Sequence, residues 1–285
     1  MDKIINKLIS NGFVKGEQKI IDIKDLEELT KIILLLRSQQ IEKGEKSPFL
    51  KLVGSSDRLD ILLEKIISNK YVKENLKQIL GERYLLMSPS ARFSDEGDSG
   101  LEIHQDAVGE TGLLFLLTDQ KEGQTVMVKA SHRFPGRISN ILSWGSKKLI
   151  NIISSLYFSI TGNAGDHYYW FHKTWHGRKP NTINGESSIT LFFPFFPFAA
   201  NRFDIAEKNQ SSILKTRNQY LKNIMSQKIP YNDKVLEIPI CLKIEKFDIK
   251  ALLNINFIIF LLKISILEVL FSPVRILRLL RKIKF

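Results

Sequence analysis

Three residues have the types and the spacing needed to hold one metal ion: His104, Asp106 and, further along the chain, His176. Side chains at positions i and i+2 of a strand leave the same face, so His104 and Asp106 can bind one ion together. A histidine from a distant strand would complete two imidazoles and one carboxylate, the facial set that suits non-haem Fe(II). Three protein ligands on one face leave the opposite face open, which oxygen chemistry requires.

The regions around these residues have the composition of short β-strands. Runs rich in β-forming residues span 83–88, 111–119, 124–129 and 187–193, and turn residues separate them. Residues 164–174, with the sequence AGDHYYWFHKT, combine a turn with an aromatic-rich strand. Closely spaced short strands without intervening helices predict a β-sandwich or a double-sheet jelly roll.

The rest of the chain predicts helices on both sides of this core, in one domain with four segments. Residues 1–80 have a helical pattern, clearest at 25–37, and would support the outer sheet. The strand-rich core is predicted at 81–200. Residues 201–250 contain a predicted helix (211–226) and a strand-like run (235–240), and are expected to cap the entrance to the core. Residues 251–285 are predicted to form an apolar helix and then a basic amphipathic helix.

The order of three motifs resembles the phytanoyl-CoA dioxygenase family. These motifs are His-Gln-Asp (104–106), Ala-Ser-His-Arg-Phe-Pro-Gly (130–136) and a Gly-Asp turn leading through a histidine to Pro-Asn (165–181). The resemblance covers roughly residues 80–195, and Asn-Gly-Phe-Val at 11–14 is also similar to the start of the family. It implies a mainly β protein with flanking helices, built on a double-stranded β-helix (jelly-roll or cupin-like) core.

The same resemblance implies the chemistry of the site. His104, Asp106 and His176 would be the ligands of Fe(II), and 2-oxoglutarate would be the co-substrate that chelates the same ion. Related halogenases lack the carboxylate, so an intact Asp106 implies hydroxylation or another oxidation by O2, with release of succinate and CO2. The expected substrate is a small organic, lipid-linked or saccharide molecule.

One position departs from the family pattern. The family usually places an arginine eleven residues after the distal histidine, where it binds the far carboxylate of 2-oxoglutarate, and this chain has Ser187 there. Arg178 is the first choice to replace it, because it would leave the same strand face as His176. Lys129 is the second choice, and Gln105 and Ser187 are further predicted contacts of the co-substrate.

The other histidines have simpler interpretations. His132 matches a turn histidine of the family and is expected to be structural or near the pocket. His167 and His172 are predicted to face opposite sides of the aromatic strand, and one of them could orient a metal ligand. Asp166 is interpreted as a turn residue.

Three features before His104 have both a structural and a functional interpretation. Arg92 and Tyr84 could line the pocket, although a solvent-facing arginine beside a core aromatic residue is favoured. The acidic loop 94–100 is expected to be a solvated loop or a substrate lid.

Charge and composition bear on partners and location. The formal net charge is +12, yet no nucleic-acid-binding module is recognisable, so nucleic acid is excluded as an expected partner. Polar residues interrupt the apolar run 251–271, and 274–285 is basic and amphipathic, so this tail could lie on an anionic membrane surface or pack on the barrel or a second subunit. A single cysteine and no secretory signal predict a cytoplasmic protein, with peripheral contact to the inner face of the membrane as an option.

Two other classes of function stay open. One is a jelly-roll metal-binding protein or metalloenzyme that does not use 2-oxoglutarate, which the serine at position 187 motivates. The other is a non-catalytic barrel that the C-terminal tail tethers to a membrane.

Overall fold

The structure is a computed structural model that describes residues 3–106, 109–121, 123–133, 157–182, 187–197, 204–226 and 240–243 of the chain. The predicted C-terminal helices at 251–285 lie outside these residues. So does the strand-like run predicted at 235–240, except for its last residue. Within the described ranges, no helix has the length and apolar character needed to cross a bilayer.

Helices occupy the beginning and the end of the described chain. Four of them precede the main strands: α1 (Lys3–Asn11), α2 (Ile23–Glu42), α3 (Asp57–Ser68) and α4 (Lys70–Leu80). Three more follow the strands: α5 (Asp204–Lys215), α6 (Gln219–Met225) and α7 (Ile240–Lys243). The helix predicted at 211–226 is therefore two helices, because the Asn218 side chain accepts a hydrogen bond from the Leu221 N–H and starts α6 anew.

Eleven strands lie within the described residues. They are β1 (Phe13–Lys15), β2 (Phe49–Lys51), β3 (Tyr84–Leu86), β4 (Ser90–Ser94), β5 (Leu101–His104), β6 (Thr111–Leu116), β7 (Thr125–Met127), β8 (Phe158–Ser159), β9 (His167–Phe171), β10 (His176–Arg178) and β11 (Ser188–Pro197). The runs predicted at 83–88, 111–119, 124–129 and 164–174 each contain one of these strands, whereas β11 begins inside the run predicted at 187–193 and extends beyond it to Pro197.

The strands form two antiparallel sheets. The larger has seven strands in the order β1-β9-β6-β11-β4-β2, with β3 also paired to β11, and the smaller has four in the order β5-β10-β7-β8. Side chains from both sheets line one cavity, so the sheets face each other. Two opposed antiparallel sheets with flanking helices confirm the predicted mainly β, jelly-roll architecture.

The two faces of the larger sheet have different partners, and strand alternation explains the division. Leu113 and Phe115 of β6 and Tyr169 of β9 point to a core that they share with apolar residues of α1 to α4 and α6. Leu114 and Trp170 point the other way, into a second cluster that includes Met127 of the smaller sheet. The helices thus support the outer face, and the inner face is free to build a site.

Candidate metal centre

Strand pairing brings His104 and His176 side by side. β5 and β10 run antiparallel, with His176 directly opposite His104, and the two ring centroids are 4.3 Å apart. Asp106 lies two residues beyond His104, just after β5 ends. The register between two distant strands therefore unites the three predicted ligands.

The ligand atoms of these residues have the spacing of a single-ion site. His176 Nε2 lies 3.2 Å from Asp106 Oδ2, and His104 Nε2 lies 3.5 Å from Asp106 Oδ1. One ligand atom from each of the three residues lies within 4.8 Å of the others. An ion about 2.1 Å from each ligand holds neighbouring ligand atoms about 3.0 Å apart, which is close to the two distances between the histidines and Asp106.

Backbone hydrogen bonds orient both imidazoles. His104 Nδ1–H donates to the Glu102 carbonyl oxygen, and His176 Nδ1–H donates to the Thr174 carbonyl oxygen, each over 2.8 Å. This assignment leaves each Nε2 as the lone-pair donor, and both Nε2 atoms face Asp106. In its neutral form each ring thus has the tautomer that a cation requires.

The electrostatics of the ligands reflect their mutual contacts. Burial raises the pKa of Asp106, but hydrogen bonding to His104, His172 and His176 outweighs burial and sets that pKa well below its usual value. Burial lowers the pKa of His104, but its hydrogen bonds to Asp106 and to the Glu102 carbonyl oxygen raise that pKa by more, so the pKa lies above its usual value. Asp106 is therefore an anion that attracts either protons on the histidines or a metal ion.

A further histidine and a second carboxylate adjoin the three residues. His172 Nδ1 lies 3.2 Å from Asp106 Oδ2 and 3.0 Å from Glu110 Oε1. Both His172 and Glu110 are buried. Burial lowers the pKa of His172, but the Glu110 and Asp106 carboxylates raise it by more, to about 9.

The candidate ligands open into a cavity of about 400 Å³ between the two sheets. Most of its surface is apolar, and its polar groups gather near the histidines and around two arginines. The lining includes Phe49, Met87, Ser88, Ser90, Arg92, Leu101, His104, Asp106, Glu110, Thr125, Trp170, His172, His176, Gly177, Arg178, Phe192 and Pro194.

Arg178 and Arg92 form a cationic group in the wall of this cavity. Arg178 is 2% exposed, and the only hydrogen bond of its side chain among the described residues goes from Nη2 to Ser188 Oγ, which leaves Nε and Nη1 buried without partners. Burial and the neighbouring Arg92 lower the pKa of Arg178 to about 9, against the opposing effect of Asp98. Arg92 donates from Nη2 to Asp98 Oδ2 over 2.9 Å.

This group changes the interpretation of the acidic loop 94–100 and of Arg92. Asp98 is not a solvated loop residue; its side chain is 15% exposed and is the counter-charge of Arg92. The loop is also bound to the segment after β10, because the Asn181 N–H donates to the Asp98 carbonyl oxygen. Arg92 is 6% exposed, so the favoured interpretation of a solvent-facing arginine is wrong, whereas Tyr84 is a buried aromatic residue packed edge-on against Phe195.

The other predicted co-substrate contacts lie away from the cavity lining as the structure describes it. Gln105 donates from Nε2 to the Lys173 carbonyl oxygen, and Lys129 is exposed. Ser187 is exposed and donates from Oγ to Asp95 Oδ1. Of the four residues suggested for 2-oxoglutarate, Arg178 alone lines the cavity that contains the candidate metal ligands.

The remaining predicted residues have structural contacts. His132 lies in a 3-10 turn, where its Nε2 is 3.0 Å from the Ile9 carbonyl oxygen. His167 is buried beside Tyr71 and Tyr169, on the opposite face of β9 from Trp170. Asp166 accepts a hydrogen bond from the Asn163 N–H in the turn before β9 and pairs with Lys15.

Sequence reasoning missed Glu110, Asp98 and Trp170. Glu110 and Asp98 belong to loops, and no local pattern indicates which charge a loop will meet. The position of Trp170 could have been inferred from Gly112, the residue opposite it on β6, because a glycine inside a strand often marks a place where another group approaches the backbone closely. A Cβ atom at Gly112 would lie 2.1 Å from the Trp170 ring.

Comparison with solved structures finds several proteins with a similar fold. HygX from Streptomyces hygroscopicus with nickel and 2-oxoglutarate bound is 12% identical, with a TM-score of 0.54 over 69% of this chain and 87% of that one. EctD from S. alaskensis with 2-oxoglutarate and 5-hydroxyectoine is 13% identical, with a TM-score of 0.53 over 68% of this chain and 75% of that one. The non-heme monooxygenase ThoJ in complex with nickel is 15% identical, with a TM-score of 0.52 over 68% and 77%.

Sequence comparison adds no closer relative. No family model matches the chain, and no curated protein matches it in sequence. The likeness to the solved structures therefore establishes a shared jelly-roll fold, on which this chain carries its own set of histidines, carboxylates and arginines.

Proposed function

We propose that this protein is an Fe(II)- and 2-oxoglutarate-dependent oxygenase that hydroxylates a small organic, lipid-linked or saccharide substrate and releases succinate and CO2. One observation carries the proposal: two histidines and a carboxylate meet on one side of a cavity whose wall also holds a buried, incompletely bonded guanidinium. The order of the sequence motifs supports membership of the phytanoyl-CoA dioxygenase family within this class.

The donor set supports Fe(II) as the metal. His104, Asp106 and His176 provide two neutral imidazoles and one carboxylate, and the cavity lies on their open side. Iron would supply the activation of oxygen. The described residues would hold the ion, orient the co-substrate and substrate, and limit the access of water through the apolar lining.

The arginine group supports a dicarboxylate co-substrate. Arg92 and Arg178 together carry two positive charges, and Asp98 compensates one of them. A buried cation without a counter-charge is costly, and a carboxylate is the planar anion that a guanidinium binds best. We infer that Arg178 binds the far carboxylate of 2-oxoglutarate through Nε and Nη1, in place of the arginine that the family has at the position of Ser187.

The solved structures with similar folds are consistent with this chemistry. HygX was solved with nickel and 2-oxoglutarate, and EctD with 2-oxoglutarate and 5-hydroxyectoine. The four-segment division, the cytoplasmic location and the two roles suggested for residues 251–285 stay predictions.

An anaerobic titration tests the proposal. The purified protein receives Fe(II) and then 2-oxoglutarate, and the visible charge-transfer band of the chelated 2-oxo acid is recorded. His176→Ala should bind neither the metal nor, in consequence, the chelate. Arg178→Met should bind the metal normally and weaken 2-oxoglutarate binding by about tenfold to a hundredfold, because it removes a charge-assisted contact.

The matched control is Arg217→Met, since the Arg217 side chain is 87% exposed and remote from the cavity lining. This variant should titrate as the parent protein does. Metal binding without the band in the parent protein would favour the metalloprotein that does not use 2-oxoglutarate. Absence of metal binding would favour the non-catalytic barrel.

A further inference from the structure

We propose that His172 is a positioning residue that holds the Asp106 carboxylate in place for the metal, and that Glu110 fixes the His172 ring for this purpose. The inference rests on the proposed function, because it assumes that Asp106 is a ligand. It adds positioning roles for two residues that do not bind the metal themselves.

The backbone around His172 fixes the segment that carries Asp106. The Asp106 N–H donates to the His172 carbonyl oxygen over 3.0 Å, and the His172 N–H donates to the Glu110 carbonyl oxygen over 2.9 Å. Gln105 Nε2 donates to the neighbouring Lys173 carbonyl oxygen. The chain on both sides of the turn after β5 is therefore bound to residues 172 and 173.

The side chains repeat these contacts. His172 Nδ1 lies between two carboxylate oxygens, 3.2 Å from Asp106 Oδ2 and 3.0 Å from Glu110 Oε1. The Asp106 side chain is 37% exposed at the cavity, whereas those of His172 and Glu110 are 7% and 5% exposed. The more exposed carboxylate of Asp106 thus contacts a buried His172 ring that a buried Glu110 carboxylate also contacts, and groups around a metal ligand that contact it in this way orient it.

Trp170 holds the plane of the His172 ring. The two rings stack with centroids 4.5 Å apart and an interplanar angle of 16°. Trp170 is itself fully buried against Gly112. The His172 ring is therefore held by stacking on its face and by carboxylates at its edge.

The test is a Co(II) titration of the metal-free protein, which reports affinity and coordination without any turnover. His172→Phe keeps the stacked ring but removes Nδ1, and should weaken Co(II) binding by about tenfold to a hundredfold, the usual loss when the partner of a ligand is removed. His172→Asn places an amide N–H near the position of Nδ1 and should recover part of the affinity. Glu110→Gln should cause a smaller loss in the same direction.

The control is His167→Phe, which changes a buried histidine at the start of β9 whose ring contacts are with Tyr71 and Tyr169. It should leave Co(II) affinity unchanged. Equal affinity in the parent protein and His172→Phe would overturn the positioning role and leave the proposed function standing. No Co(II) binding in the parent protein would overturn both.

Discussion

The five histidines of this chain occupy two contrasting environments. His104, His172 and His176 converge on the Asp106 carboxylate at the cavity, whereas His132 and His167 are buried beside helices and aromatic residues. Burial without a nearby ligand carboxylate lowers the pKa of both His132 and His167 to about 4. At the cavity, contact with carboxylates outweighs burial and raises the pKa of His104 and His172.

The contrast shows that a buried histidine becomes part of a candidate site through its partners. All five rings are at least partly buried, so exposure alone does not separate the two groups. Asp106 separates them, because its carboxylate contacts His104, His172 and His176 but neither His132 nor His167. Changes at this carboxylate should therefore have larger effects than changes at either structural histidine.

Removing the Asp106 carboxylate should have the largest effect, because three of the histidine rings contact it. Asp106→Ala should retain the fold but lower metal affinity by more than the roughly hundredfold loss expected for a supporting residue, and should abolish hydroxylation. Calorimetric titration with Mn(II) and a thermal melt of each protein provide the measurements. Asp166→Ala, which changes a carboxylate in a surface turn, is the control and should bind as the parent does. Retained affinity in Asp106→Ala would reject the ligand assignment.

The pH dependence of stability tests the environment of His167, one of the two structural histidines. The folded pKa of His167, about 4, lies below its unfolded value, so the unfolded state binds more protons between these values and stability is lost as pH falls through them. His167→Phe removes this term. When the pH is lowered from about 7.5 to about 5, the free energy of unfolding of the parent should therefore fall by about 2 kcal/mol more than that of the variant.

Urea unfolding of both metal-free proteins at the two pH values measures this difference. The His132 ring titrates alike in the two proteins, so its contribution cancels. Parallel pH profiles would show that His167 is not held neutral by burial.

Gly112→Ala should have the smallest effect. It tests whether the packing of Trp170 supports the candidate metal centre through His172. The new Cβ would lie 2.1 Å from the Trp170 ring, and such overpacking costs about 1–2 kcal/mol. Displacement of Trp170 should also weaken metal binding several-fold through His172. Adding Trp170→Phe should restore part of the stability, since a smaller ring makes room. An undiminished melting temperature in Gly112→Ala would contradict the close packing.

Local patterns predict much of this molecule because strand geometry is local. The alternation of β9 places His167 and Trp170 on opposite faces, and the i, i+2 relation brings Arg178 to the same cavity as His176. The outcome at Asp98 and Glu110 was not predictable in this way. Asp98 and Glu110 contact Arg92 and His172 because of the conformations of two loops, and the sequence pattern does not specify those conformations.

The register of distant strands is the second element that local patterns leave open. A shift of one residue between β5 and β10 would send His176 to the other face of the sheet, away from His104. Here Gly177 contributes, because a side chain at that position would lie 2.8 Å from the Leu101 carbonyl oxygen. The choice of register thus depends on packing between strands more than on the residues that carry chemistry.

The three-residue strand β10, His-Gly-Arg, places a candidate metal ligand and a candidate carboxylate anchor on one short piece of backbone. A profile that requires an arginine eleven residues after the distal histidine would discard any chain built this way. Searching genomes for a distal His-Gly-Arg paired with an upstream His-x-Asp, without regard to the later position, should recover further chains of the same design. The serine at position 187 would then vary freely among them, while the glycine between histidine and arginine would not.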